Sequence, residues 1–232
     1  MRNEEPKGFV GCVDTHRYAE SCLLADIGNS RIHLYDGKTV VHLQPDEAIA
    51  QYGTQKVGYI SVNTPLEARI KAETVWENIS DKVHIAGEYE TMGVDRRALC
   101  LSHESGVFVD AGSAITVDVV EEGTYKGGWI FPGFLALLKS YKEISPALEA
   151  ELEKEIDLTR LPLTTKEQIS YGIIASIKSL IAQHSKGKNL YFTGGDGKFL
   201  SSFFEQALYD ETLVFQGMKR ALRASEELGI RN

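Results

Sequence analysis

Two segments of the chain, LLADIGNSRIHLYDG from Leu23 and VFVDAGSAITVDVVE from Val107, superimpose. Each reads as apolar residues, Asp, any residue, Gly, a small polar residue and a β-rich run. Asp26 and Asp110 occupy matching places, 84 residues apart (110 minus 26). Solenoid units have shorter periods, so this spacing predicts a duplicated domain with its two copies facing each other across a cleft. At 232 residues the chain is long enough to bury a full core. The expected fold class is α/β, with an N-terminal lobe over 23–106, a C-terminal lobe over 107–232 and a flexible extension over 1–22.

The expected order of elements follows from turn and capping signals. The first half should open as a β-meander turning at Gly28 and at Asp36-Gly37. Thr64-Pro65-Leu66-Glu67 reads as a helix start between strands at 57–62 and 83–86. In the second half, Glu121-Glu122-Gly123 should turn the chain, a stretch from Ser145-Pro146 should be helical, and Thr165-x-x-Gln168 should cap a longer helix. A short buried strand at 189–197 should run into glycines, followed by mostly helix to 229 with a strand near Leu213 to Phe215.

Composition excludes several classes. The 43% apolar and 25% charged shares are those of an ordinary globular protein. A net charge of -8 without a basic stripe argues against a nucleic-acid partner. No apolar run approaches the roughly 20 residues that cross a bilayer, so no membrane role is expected. Cys12, Cys22 and Cys100 form no Cys-x-x-Cys pair, which fits a reducing cytoplasm. The P-loop, dinucleotide, zincin and nucleophile-elbow signatures are all absent. His16, His33, His42, His84, His103 and His184 are scattered and read as surface or core.

The repeated residue types suit phosphate chemistry. A strand-ending Asp can hold a hydrated Mg2+, which takes only one or two carboxylates when it also binds nucleotide phosphates. Gly28 and Gly112 clear the space in front of backbone N–H groups, and Asn29, Ser30 and Ser113 add donors. Either Asp-x-Gly alone would read as a hairpin turn. Two copies after similar strands, with a third glycine site at Gly194-Gly195, favour a phosphate cleft.

Five motifs in order carry a family resemblance: D-x-G-N-[ST] at Asp26 to Ser30, G-x-D-R at Gly93 to Arg96, D-x-G-[ST]-A at Asp110 to Ala114, G-G-x-I-x-P-G at Gly127 to Gly133, and T-G-G at Thr193 to Gly195. Over about residues 23 to 200 the chain resembles type III pantothenate kinase, of the acetate and sugar kinase and actin superfamily. The resemblance implies two tandem ribonuclease-H-like lobes and ATP-dependent phosphorylation of pantothenate, the first step of coenzyme A synthesis. It further implies a homodimer that needs a divalent metal such as Mg2+ and a monovalent cation, K+ or NH4+.

Carried over by motif, Asp95 would be the general base, with Gly93, Val94 and Arg96 contacting pantothenate. Asp26, Ile27, Gly28, Asn29, Ser30, Arg31, Ile32 and His33 would form the first phosphate turn, with Asp26 reaching Mg2+ through water. Asp110 would bind the monovalent cation, Ser113 would touch ATP, and Gly194 and Gly195 would let adenosine lie against the backbone. Thr165 and Tyr89 would contact substrate, Tyr89 lying closer to G-x-D-R than is common in the family. Ser30 and Ser113 keep the hydroxyl where the family more often has Thr. The glycines and proline of GGWIFPG read as shaping a loop between lobes. Two other readings compete: another small-molecule kinase or phosphatase of the superfamily, and a non-catalytic transcription accessory factor.

Overall fold

Both halves of the chain build a five-stranded sheet with one strand order. The structure, a computed structural model, describes residues 23–229, so the extension expected over 1–22 lies outside the described residues. The first sheet contains β1 (Leu23–Ile27), β2 (Ile32–Tyr35), β3 (Val40–Leu43), β4 (Val57–Ser61) and β5 (Glu77–Asn78) in the order β3-β2-β1-β4-β5. The second contains β6 (Gly106–Ala111), β7 (Ala114–Glu121), β8 (Thr124–Pro132), β9 (Leu190–Thr193) and β10 (Ala207–Tyr209) in the order β10-β9-β6-β7-β8. Taken from the opposite edge, this is the same order. In each sheet the first three strands pair antiparallel and the last two add parallel. The 84-residue repeat is therefore a duplication of topology as well as of motif.

Helices fill three layers around these sheets. The outer face of the first sheet packs its Ala25, Ile27 and Tyr59 against Ala48 of α1 (Pro45–Tyr52) and Ile70 of α2 (Thr64–Glu73). The outer face of the second packs Val107, Val109 and Ala111 against α4 (Phe134–Ile144), α5 (Thr165–His184) and α6 (Gly197–Ser201). Between the sheets lie α3 (Val94–Leu101) and α7 (Leu213–Gly229), whose Ala98, Leu99, Phe215 and Met218 meet Leu24 and Ile60 on one side and Phe108 and Val120 on the other. Each half thus ends in a helix that joins the shared middle layer.

Strand alternation then dictates where the acids point. Successive side chains on a strand face opposite ways. Leu24 and Phe108 enter the middle layer, while Ala25, Ile27, Val109 and Ala111 enter the outer ones. Asp26 and Asp110, two residues beyond Leu24 and Phe108, therefore face the middle layer, as does Asp118, two before Val120. Asp95 and Arg96 stand in the first turn of α3 in that same layer.

Several local expectations are corrected. The cap of α2 is Asn63, whose Oδ1 accepts from the Leu66 N–H at 3.1 Å, and the cap of α5 is Thr164, which pairs with Glu167. In both cases the reaching side chain stands one residue before the expected Thr. The strand after α2 is Glu77–Asn78 rather than 83–86, because the chain pairs with β4 as soon as α2 ends. After a single helical turn at Pro146–Leu148 the 145–156 stretch is irregular, and Leu148, Leu152 and Ile156 still pack on the core without a helix. Leu213 to Phe215 open α7, and the strand lies earlier, at Ala207–Tyr209. GGWIFPG is no loop between lobes: it forms the end of β8 and the Gly133 cap of α4.

The crossing of α3 and α7 is close. A Cβ added at Gly217 of α7 would run into the carbonyl oxygen of Ala98 on α3. Gly217→Ala should therefore destabilise the protein by about 1–3 kcal/mol through overpacking, a loss readable in thermal unfolding at roughly 2–4 °C per kcal/mol. Gly172→Ala in α5, where the added carbon would meet only the Tyr141 hydroxyl at 3.8 Å, should raise the midpoint instead.

Candidate active site

The two Asp-x-Gly turns face each other. Ser30 Oγ of the first lies 3.4 Å from Ser113 Oγ of the second, although 83 residues separate them. The Gly28 N–H donates to the Arg31 carbonyl and the Gly112 N–H to the Ala114 carbonyl, so these two donors are consumed in closing the turns. Donors for a phosphate would come from the residues that follow each glycine. No backbone or side chain of the protein crowds these positions: a Cβ at Gly28 or Gly112 would meet nothing nearer than 3.4 Å, and one at Gly195 nothing within 4 Å. Internal packing does not demand glycine there. Gly194 and Gly133 are different, since a Cβ at Gly194 would strike Asp110 and one at Gly133 the Gly112 carbonyl. Gly194 also holds a φ of +85°, where a side chain is strained.

Asp26, Asp95 and Asp110 converge beside these turns. Each remains partly open to solvent through the cleft while protein surrounds it densely. Burial pushes the Asp26 carboxyl well above the usual carboxylate range, and the charges of Asp95 and Asp110 add to it. Burial, then Asp95 and Asp118, pushes Asp110 up to about 7. Burial also raises Asp95, opposed by the Arg96 N–H, which donates to Asp95 Oδ1 at 2.7 Å, and by the charges of Arg96 and Arg97. One oxygen of Asp26, Oδ1, is buried with no hydrogen-bond partner. Gly93 caps α3 and leaves room for Asp95, whose Oδ1 would lie 2.5 Å from a Cβ placed there. Mutual repulsion of this kind is what a bound cation relieves.

Arg96 does not pair with Asp95. Its guanidinium grips Asp118 at both oxygens, Nε to Oδ2 at 3.1 Å and Nη2 to Oδ1 at 2.5 Å, and also donates to the hydroxyls of Tyr89 and Tyr125. The pair holds Arg96 more firmly protonated, yet Asp118 remains above its usual range because burial outweighs what the guanidinium returns. The bidentate geometry favours the ionised pair.

The remaining candidates divide. Ile27, Ile32 and Val94 are buried in apolar cores, so only their backbones can meet a ligand. Asn29, Ser30, Arg31 and Ser113 are exposed at the turns. His33 is not isolated: its Nδ1 lies 2.5 Å from that of His42, and burial, then the charges of His42 and Arg31, lower it to about 4. Thr165 opens α5 at the surface, and among the described residues it makes no hydrogen bond to the acids. Sequence reasoning missed Asp118, Tyr125 and Asn63. Asn63 donates to the Gly28 and Asn29 carbonyls at 3.5 Å while capping α2. Asp118 left one signal, a charge in the middle of an apolar strand.

Similarity to known proteins agrees with this geometry. The family model described as type III pantothenate kinase matches residues 62–186. A type III pantothenate kinase of Helicobacter hepaticus is 42% identical over 201 residues, covering 86% of this chain and 98% of that protein. One of Wolinella succinogenes is 44% identical over 207 residues, covering 88% and 98%. A Campylobacter jejuni crystal structure, described as a Baf family transcriptional activator, superimposes with a TM-score of 0.80 at 37% identity, covering 88% of this chain and 99% of that one. At 10% identity, the ADPNP-bound activator of 2-hydroxyisocaproyl-CoA dehydratase from Clostridium difficile gives a TM-score of 0.50 over 91% of this chain and 97% of that one, which shows the shared actin-like fold alone. This chain belongs to the type III pantothenate kinase family.

Proposed function

We propose that the protein transfers the γ-phosphoryl group of ATP to the 4'-hydroxyl of pantothenate, giving 4'-phosphopantothenate and ADP, the first step of coenzyme A synthesis. The observation that carries the reading is the convergence of Asp26, Asp95 and Asp110 beside two serine-bearing turns 3.4 Å apart. Family membership supplies the acceptor. Glycines at 28, 112 and 195 that packing does not require support close approach of a ligand to the backbone.

In this reading Asp95 accepts the proton of the attacking hydroxyl while the O–P bond to pantothenate forms and the bond to ADP breaks. Its raised pKa, from burial, makes it a stronger base than an exposed carboxylate. The residues fit cations as well, given the unpartnered Asp26 oxygen and the mutual repulsion of the acids. Asp26 would hold Mg2+ through water and Asp110 would hold K+ or NH4+. An Mg2+ that binds with nucleotide takes most of its ligands from phosphate and water, so one or two carboxylates would suffice. Bound cations neutralise charge on the transferring group. Ser30 and Ser113 orient the phosphates from either side.

The same reading makes the enzyme cytoplasmic and a homodimer. Exposed apolar side chains on the second lobe, Leu135 (83%), Leu161 (78%) and Leu163 (92%), favour a second copy as partner. Among the described residues no helix is long and apolar enough to cross a membrane. The transcriptional description belongs to the Campylobacter protein; the three acids gathered in one cleft favour catalysis.

Mass spectrometry of the reaction with ATP, pantothenate and Mg2+ should detect 4'-phosphopantothenate, formed faster with K+ or NH4+ than with Na+. No product from folded protein under any salt would remove the reading. Asp95→Asn should lower kcat by about 10²–10⁴-fold with the fold intact by circular dichroism, and near-normal turnover would remove the base assignment. Asp110→Asn relieves buried repulsion, so in cation-free buffer it should raise the thermal midpoint while abolishing stimulation by K+. A lower midpoint, or retained stimulation, would contradict the role given to Asp110.

A further inference from the structure

Arg96, expected to touch the acceptor, is almost fully committed to protein. Its Nε–H and one Nη2–H hold Asp118 at 3.1 and 2.5 Å, the other Nη2–H reaches the Tyr125 hydroxyl at 3.3 Å, and one Nη1–H donates to the Tyr89 hydroxyl at 2.6 Å. A guanidinium has five N–H donors, so one remains. The side chain of Arg96 is 8% exposed and that of Asp118 is fully buried. Tyr125 is nearly buried, and its hydroxyl also hydrogen-bonds the Asp118 carboxylate. Apart from that one Nη1–H, every polar group of this trio is spent inside the protein, and the trio has one outlet.

That outlet is Tyr89. It is 43% exposed, its ring packs beside Tyr125 at 6.0 Å, and the Arg96 guanidinium sits 5.9 Å from its ring centre. Because its oxygen accepts from Arg96, its own O–H proton has to go elsewhere, and among the described residues no hydrogen bond takes it up. A hydroxyl that accepts a hydrogen bond from a cation becomes a stronger donor through its own O–H.

We propose that Asp118 is a positioning residue for the acceptor site. With Tyr125 it locks the Arg96 guanidinium, and Arg96 in turn holds the Tyr89 hydroxyl as a polarised donor toward an acceptor oxygen of the substrate, its carboxylate or amide carbonyl. In this arrangement Arg96 acts through Tyr89. The inference rests on the pantothenate reading and assigns the recognition step within it. Asp118 lies 22 residues from Arg96 in sequence, in the middle of β7, with its side chain fully buried against the guanidinium.

The test is a double-mutant cycle on the full-length enzyme, with KM for pantothenate and for ATP measured separately. Tyr89→Phe and Asp118→Asn should each raise the pantothenate KM about tenfold, the loss of one charge-assisted hydrogen bond, and leave the ATP KM unchanged. Asp118→Asn combined with Tyr89→Phe should be no worse than either alone. Removing one partner of a buried ion pair can prevent folding. Tyr125→Phe, which keeps the ring and deletes only the hydroxyl, closes the same cycle with Tyr89→Phe and should show the same non-additivity with a smaller effect. Additive losses, or a lowered thermal midpoint with the pantothenate KM unmoved, would overturn the inference and leave Asp118 a purely structural residue. Failure of the wild-type enzyme to phosphorylate pantothenate would remove the functional reading and this inference together, an outcome distinct from the others.

Discussion

Four carboxylates, those of Asp26, Asp95, Asp110 and Asp118, share the layer between the two sheets, and only Asp118 has a guanidinium bound at both of its oxygens. Like charges in a poorly solvated layer raise one another's pKa and oppose folding unless something compensates. Arg96 compensates one of them from within the chain. The other three are left to the solvent of the cleft and to whatever cations occupy it. This imbalance is the constraint around which the rest is arranged, because repulsion among the acids is a cost that a cation would relieve.

Holding such a cluster open requires a rigid frame. The outer layers of α1 and α2 on one side, and of α4, α5 and α6 on the other, bury the sheet faces that carry no acids. The middle layer is built from α3 and α7, which cross so closely that Gly217 lies against the backbone of Ala98. Asp95 and Arg96 are therefore not on a mobile loop: they open a helix wedged between both sheets. Asn63 links a second helix start to the first Asp-x-Gly turn in the same way. Strands and helices thus carry each of the acids, and loops contribute the serines and glycines that lie beside them.

Much of this was legible in the sequence where the signal was local or repeated. The Asp-x-Gly turns at Asp26 and Asp110, the meander after Leu23 and the buried strand ending at Thr193 all follow from short patterns of apolar, turn and glycine residues. Elements whose state depends on distant partners were misread. The apolar residues of 145–156 reach the core in an irregular stretch, partly because the Ser170 hydroxyl takes up the Glu153 N–H. Leu213 to Phe215, apolar enough for a strand, became helical against α3 because the middle layer needed a second helix. Helix caps were each displaced by one residue, since two adjacent side chains compete for one N–H and only geometry selects between them.

The sequence by itself determined the duplication, the two Asp-x-Gly turns and the acids that belong to them, because strand alternation and turn chemistry act over a few residues. Only the tertiary structure decided how those pieces confront one another: that Ser30 meets Ser113, that Arg96 pairs with Asp118 rather than with its neighbour Asp95, and that Tyr89 is left as the exposed end of that pair. These contacts join residues 83, 22 and 7 positions apart. They arise from the packing of two sheets onto a common pair of helices, a geometry that no local pattern encodes.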